Sequence, residues 1–185
     1  YAKPKAALFM EIGLQPSQIV EAANVRSDGQ FRILYVGRCL YWKGLHVALK
    51  SLQLAKRRGL DFRFDIVGDG DDKAALTQLA VELGLSDCVT WHSAVPQAEL
   101  RGAYSQADCF LFPSLHDSSG NVILEAMGHG VPVVCLKVGG PGLLVSNETG
   151  AVIDVADAFT SEIVYSRIAN VLSKLAHDRV ELARL

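Results

Sequence analysis

Strands and helices alternate along most of this chain, and that order predicts an α/β fold: a doubly wound, Rossmann-like parallel sheet with helices on both faces. Two observations carry the prediction. Short apolar runs such as FRILYV, FRFDIV, CFLF and VVCL recur at intervals that leave room for one helix between each pair. Half of the 185 residues are hydrophobic, which is enough to bury one full core.

A leading segment, 1–28, holds an apolar stretch at 6–10, a Pro16–Ser17 turn and a short helical stretch to Val25. It closes on the turn signal Ser27-Asp28-Gly29. Phe31–Val36 then reads as the first strand and 43–58 as its helix. Phe62–Val67 is the second strand, with helix 72–83 stopped by Gly84. A short strand at 89–91 leads into helix 97–105. Cys109–Phe112 is the next strand, followed by helix 121–129. Val133–Leu136 runs into a Gly-Gly-Pro-Gly turn at 139–142. A weak last strand at 151–153 precedes a long amphipathic helix over 161–184, with Ile163, Ile168, Val171, Leu172 and Leu175 along one stripe. The division is one unit over 1–185: the leading segment, a core at 29–155 and a C-terminal helical part at 156–185.

Bulk properties narrow the function. A formal net charge of −2 gives no global reason to bind nucleic acid or an anionic membrane. No apolar run reaches transmembrane length, and nothing at the start reads as a signal peptide. Residue 1 is Tyr, which suggests a fragment of a longer chain. Cys39, Cys88, Cys109 and Cys135 stand far apart, without Cys-x-x-Cys or zinc spacing. They read as reduced, mostly buried thiols of a cytoplasmic protein. Asp69-x-Asp71 opens a helix, where acids are expected anyway, so no metal site is assigned. Gly68-x-Gly70 begins a dinucleotide fingerprint whose third Gly is replaced by Lys73.

In a doubly wound sheet, ligands bind beyond the carboxyl ends of the strands. Four loops share that rim: GRCLYWKG at 37–44, GDGD at 68–71, HSAVP at 92–96 and PSLHDSSG at 113–120. The first carries Arg38 and Lys43, a planar fork and a compact cation suited to a diphosphate. The last leads into a helix near Gly120–Asn121, whose exposed N–H groups and dipole favour phosphate. That helix turns Val122, Ile123, Ala126, Met127 and Gly130 to the sheet and Asn121, Glu125 and Gly128 to a second face. Glu125 leans back toward the helix start, where a carboxylate suits neutral ribose hydroxyls better than phosphate. Asp117 lies just before the helix as a second acid or a turn residue, with Ser118 and Ser119 competing for the cap. The combination suggests a nucleotide-sugar pocket.

These segments, with YSQADCFLFPS, HDSSGNVILEAMGHGVPVV, Gly139–Gly140 and ETGAVID, resemble the C-terminal, donor-binding domain of retaining GT-B glycosyltransferases. This is the group 1 family, which includes glycogen synthases and sucrose synthases. The resemblance covers about 30–155 and implies half of a GT-B fold, with the N-terminal acceptor domain absent. It implies that Arg38 and Lys43 meet the diphosphate, with Gly37 also in the binding set and with amides around Gly120, Asn121 and Val122 added. The family's Glu-x7-Glu acids fall on Asp117, for the transferred sugar, and Glu125, for the ribose. The base would lie between the Gly68 loop and the loop bearing His92 and Val95. The implied catalytic set is Asp117, Glu125, Arg38 and Lys43. The resemblance implies a UDP-, GDP- or ADP-sugar as donor, with no cofactor and no required metal. It further implies that the acceptor attacks from the leaving-group side, with the departing phosphate assisting its deprotonation.

Three departures stand out: Asp117 replaces Glu, Ser119–Gly120 replaces Phe-Gly, and Pro141–Gly142–Leu143 follows the glycines where a Glu is usual. The implied partners are the donor and, through the absent half, the acceptor. Any membrane contact, and with it a peripheral location, would also come through that half. The fragment alone is expected to bind donor and transfer nothing. A sugar-nucleotide epimerase and a non-catalytic nucleotide-sugar-binding module are the alternative readings.

Overall fold

The computed structural model describes residues 29–118, 120–158 and 160–178. The expectations for 1–28 and for the end of the last helix fall outside them. A six-stranded sheet has the order β3-β2-β1-β4-β5-β6, with every neighbouring pair parallel. Its strands are β1 (Phe31–Val36), β2 (Phe62–Val67), β3 (Val89–His92), β4 (Cys109–Phe112), β5 (Val133–Leu136) and β6 (Gly150–Ile153). The helices between and after them are α1 (Leu45–Arg57), α2 (Lys73–Glu82), α3 (Leu100–Gln106), α4 (Asn121–Gly128), α5 (Pro141–Leu144) and α6 (Ser161–His177). Right-handed crossovers set α1, α2 and α6 on one face and α3, α4 and α5 on the other. The packing of α1 against α2 and α6, and of α4 against α5, agrees with this.

Position in the sheet explains the strand sequences. All four residues of β4 and of β5 are buried, because helices cover both faces there. β2 lies toward the edge and alternates, with Phe62, Phe64 and Ile66 buried while Arg63 is exposed and Asp65 half-buried. One continuous core runs from Phe31 and Phe62 through Phe110 and Phe112 to Ile168 and Leu172 of α6. On the stripe read for α6, Ile168, Leu172 and Leu175 are buried, and Val171 packs partly buried against the core. Ile163 is half-exposed, and its neighbours Val164 and Tyr165 make the core contact instead.

Several boundaries differ from the sequence expectation for local reasons. Helix 43–58 begins later, because Tyr41–Lys43 forms a 3-10 turn closed by Gly44 in the left-handed region at φ 72°. Lys43 therefore belongs to the rim loop and not to the helix. The helix expected over 97–105 divides into a 3-10 turn, Gln97–Glu99, and α3. The Gly-Gly-Pro-Gly turn contains the one-turn helix α5, with Pro141 at its first position, where a missing N–H costs nothing.

β1 and β2 end level, with Val36 opposite Val67, and Val67 lies opposite His92 of β3. After β1 the chain turns toward β2, and after β4 it turns toward β5. The loops leaving β1 and β4 thus diverge and open a crevice where the strand order reverses.

Candidate functional site

The crevice is built from loops that are held by one another. Gly37 N–H donates to the Val67 carbonyl at 3.0 Å, and Cys39 N–H donates to the Asp69 carbonyl at 2.9 Å. A side chain at Gly68 would place its Cβ 1.9 Å from the Gly37 carbonyl oxygen, so only glycine lets these two loops touch. The Tyr35 hydroxyl, on a fully buried ring, donates to the Arg38 carbonyl at 3.0 Å and braces the same loop from below. Burial, with Cys39 and Asp117 nearby, pushes the Tyr35 phenol well above its ordinary range, so it stays a neutral donor.

Across the crevice stands the β4–α4 loop. The Lys43 ammonium bonds to Asp117 Oδ2 at 2.5 Å, with both side chains largely buried. The same ammonium lies 5.7 Å from the centre of the Phe112 ring. The other Asp117 oxygen, Oδ1, accepts the Gly120 N–H at 3.1 Å. The Asp117 carbonyl accepts the Gly140 N–H at 3.1 Å, and a Cβ on Gly139 would come within 2.3 Å of that carbonyl oxygen. Asp117 is thus fixed by three loops. It takes the turn role read for it and also faces the rim cation, while the capping candidate Ser119 lies outside the described residues.

The start of α4 follows from this turn. Gly120 adopts φ 63° and ψ 36°, a left-handed conformation that aims the chain into the helix. Its amide donates to Asp117 Oδ1, a bond that a phosphate at Gly120 would have to displace. Helix geometry leaves the Asn121 and Val122 N–H groups without intrahelical acceptors, and Asn121 is exposed.

The Glu125 carboxylate has partners that the sequence did not suggest, on the segment that crosses from β3 to β4. Oε1 accepts the Gln97 side-chain amide at 2.8 Å, and Oε2 accepts the Tyr104 hydroxyl at 3.1 Å. Gln97 directly follows the His92–Pro96 loop, so Glu125 is tied to the wall assigned to the base. Val95 in that loop is 38% exposed. The loop is bound to the Gly68 loop at several points. Gly68 N–H donates to the His92 carbonyl at 3.2 Å, and Ala94 N–H donates to Asp69 Oδ2 at 2.7 Å. Lys73 Nζ reaches the Gly68 carbonyl, Asp69 Oδ1 and the His92 carbonyl. The hydrogen bond from Lys73, then that from Ala94, holds the Asp69 carboxyl below its usual range. Asp69 is a loop fastener here. Among the described residues, no group of three or more His, Cys, Asp or Glu side chains gathers as a metal site would require.

Three clusters result. Lys43, Asp117 and Gly120 are in direct contact. Glu125 joins Gln97 and Tyr104 on the far wall, and Gln97 directly follows the loop of His92 and Val95. Arg38 shares the Lys43 loop with its side chain exposed. The imidazole Nε2 of His92 lies 2.9 Å from Asp65 Oδ1, on the outer side of this wall. Behind the wall, between α3 and the face of β1 and β2, is a cavity of about 490 Å³ lined by residues including Arg32, Arg63, Asp65 and Leu100. It shares His92 and Val95 with the wall assigned to the base, and its lining includes neither Lys43, Asp117 nor the start of α4.

Sequence reasoning missed Gln97, Tyr104 and Lys73. Tyr104 carried a signal: a tyrosine on the inward face of a helix buries its ring and needs a partner for its hydroxyl.

Residues 30–166 match the family described as "Glycosyl transferases group 1". The chain is 31% identical over 165 residues to the amylovoran biosynthesis glycosyltransferase AmsK of Erwinia amylovora, covering 85% of this chain and 40% of that protein. It is 32% identical over 173 residues to the D-inositol 3-phosphate glycosyltransferase of Segniliparus rotundus, covering 91% of this chain and 35% of that one. It therefore spans well under half the length of these relatives. The pneumococcal O-GlcNAc transferase GtfA, solved in complex with UDP and GlcNAc, shares the fold with a TM-score of 0.75 at 19% identity, over 90% of this chain and 33% of that one. The chain belongs to the group 1 glycosyltransferases, with the α/β fold of GT-B enzymes.

Proposed function

We propose that this chain is the donor-binding half of a retaining glycosyltransferase, which holds a nucleoside diphosphate sugar while an acceptor is bound by a second domain. One observation carries the reading. A cationic loop, a helix start and two fixed carboxylates all lie around the crevice where the strand order reverses. The UDP and GlcNAc in the complex of GtfA, a protein of the same fold, support a nucleotide-sugar donor here.

In this reading the diphosphate lies between the Arg38–Lys43 loop and the Asn121 and Val122 amides. Fixed positive charge there stabilises the leaving group as its charge develops. Ribose hydroxyls reach Glu125, the base lies along the wall at 92–96, and Asp117 faces the transferred sugar. The donor requires no metal from this chain. The acceptor attacks on the leaving-group face, and the departing phosphate takes its proton. Without the acceptor half, the chain binds donor and does not transfer.

Titration with UDP-, GDP- and ADP-sugars, read by ligand-observed NMR, tests this. Binding of at least one class is the expected result, and binding of none contradicts it. Sustained sugar transfer by the chain alone would contradict the division of labour between the halves.

A further inference from the structure

We infer that Tyr104 and Gln97 are positioning residues that set the Glu125 carboxylate for ribose recognition; this rests on the proposed donor site. Glu125 lies on a short helix, and a glutamate side chain has three rotatable bonds that a sugar contact would have to immobilise. Two donors already do so. Gln97 Nε2 holds one oxygen at 2.8 Å, and the Tyr104 hydroxyl holds the other at 3.1 Å. Both donors are neutral, so they orient the carboxylate without cancelling its charge. A carboxylate offers about four lone-pair directions. Two are used here, which leaves one on each oxygen for a vicinal diol.

Tyr104 is well suited to this role. Its residue is only 1% exposed, and its ring packs at 5.9 Å from Phe110 and stacks at 5.0 Å on His129. The His129 Nδ1 lies 2.8 Å from the Glu125 carbonyl oxygen, which can only accept. One stacked pair of rings therefore grips both ends of Glu125. Burial, reinforced by Glu125, raises the Tyr104 phenol far above its ordinary range, so it donates throughout the working pH range. The acceptor that its buried hydroxyl needs is supplied by the carboxylate assigned to the ribose. Gln97 reaches the same carboxylate from the segment that follows the base wall, which links ribose and base recognition through a single side chain.

The test compares binding of UDP, GDP or ADP, whichever binds tightest, with that of its 2′,3′-dideoxy counterpart, by calorimetry on the 185-residue chain. Wild type should prefer the ribonucleotide. Tyr104→Phe keeps the rings and removes one hydroxyl. It should lower that preference about three- to tenfold while leaving the dideoxy affinity unchanged. Gln97→Leu, on an exposed turn, should act in the same direction and covers the case in which Tyr104→Phe does not fold. Glu125→Ala should abolish the preference, and adding Tyr104→Phe to it should change nothing further. An undiminished ribose preference in Tyr104→Phe and Gln97→Leu overturns the inference. Equal loss of both affinities also overturns it, since that marks a merely structural role. If the wild-type chain binds no nucleoside diphosphate, the donor site itself fails, and this inference fails with it.

Discussion

The two acids of the crevice are held in opposite ways. Asp117 is bonded to a cation, Lys43, that is also the group assigned to the diphosphate. Glu125 is bonded to two neutral donors and has no counter-ion among its hydrogen-bond partners. The first arrangement is a competition, because a phosphate that takes Lys43 releases a charge on Asp117. The second is a preset, because the carboxylate keeps its charge and its direction before any ligand arrives. The phosphate side should therefore reorganise on binding, and the ribose side should not.

The sharpest way to break this contrast is at the cations. Replacing both Arg38 and Lys43 by Ala should weaken nucleoside diphosphate binding by about 100-fold or more, since each charge-assisted contact is worth roughly 1.5–3 kcal/mol. The parent nucleoside should be little affected, and calorimetry with both ligands checks this. A smaller effect belongs to Glu125→Ala, which should weaken nucleoside and nucleoside diphosphate alike, by about tenfold. Asp117→Asn sharpens the comparison because its sign is reversed. The amide can still accept the Gly120 N–H but no longer holds Lys43 by charge. Nucleoside diphosphate affinity should rise by about two- to fivefold, as expected for losing a competing ion pair. Reduced affinity in a folded Asp117→Asn variant would show that the pair supports the ligand and does not compete with it.

The smallest effect concerns the fastener behind the base wall. The Asp69 carboxyl is held below its ordinary value, chiefly by Lys73. The unfolded chain therefore takes up a proton before the folded one does as pH falls. The stabilisation from Asp69 is complete above the ordinary aspartate range and is lost as pH drops through the lower folded value. Thermal melts of wild type and Asp69→Asn should differ at pH 7 and converge below about pH 3.9. A constant difference across that range would remove Asp69 as the fastener.

Much of this was legible in the sequence because strand order and loop position follow from the alternation of apolar runs with helical segments. Lys43 and Asp117 were found because they sit in loops that leave the carboxyl ends of strands, and Glu125 because it lies on the helix that follows one of those loops. What was not legible is pairing at a distance. Lys43 and Asp117 are 74 positions apart, and Tyr104 and Glu125 are 21 apart, so no local pattern reports either bond. The partners of Glu125 were not foreseen for the same reason, since its donors come from the neighbouring crossover and not from its own helix. Lys73 illustrates a different failure. As a substitute for the third Gly of a fingerprint it read as a defect, whereas its ammonium joins two loops that a glycine could not.

The central claim is that a nucleoside diphosphate occupies the crevice between the β1–α1 and β4–α4 loops. Amide chemical-shift mapping of the chain during titration with UDP, GDP and ADP tests it most directly. The account predicts that one nucleotide shifts the amides of 37–44, 92–97 and 120–125, with the smallest perturbation around Arg32 and Arg63 at the back of α3. Shifts confined to the cavity behind α3, or no saturable shifts with any of the three, would contradict it.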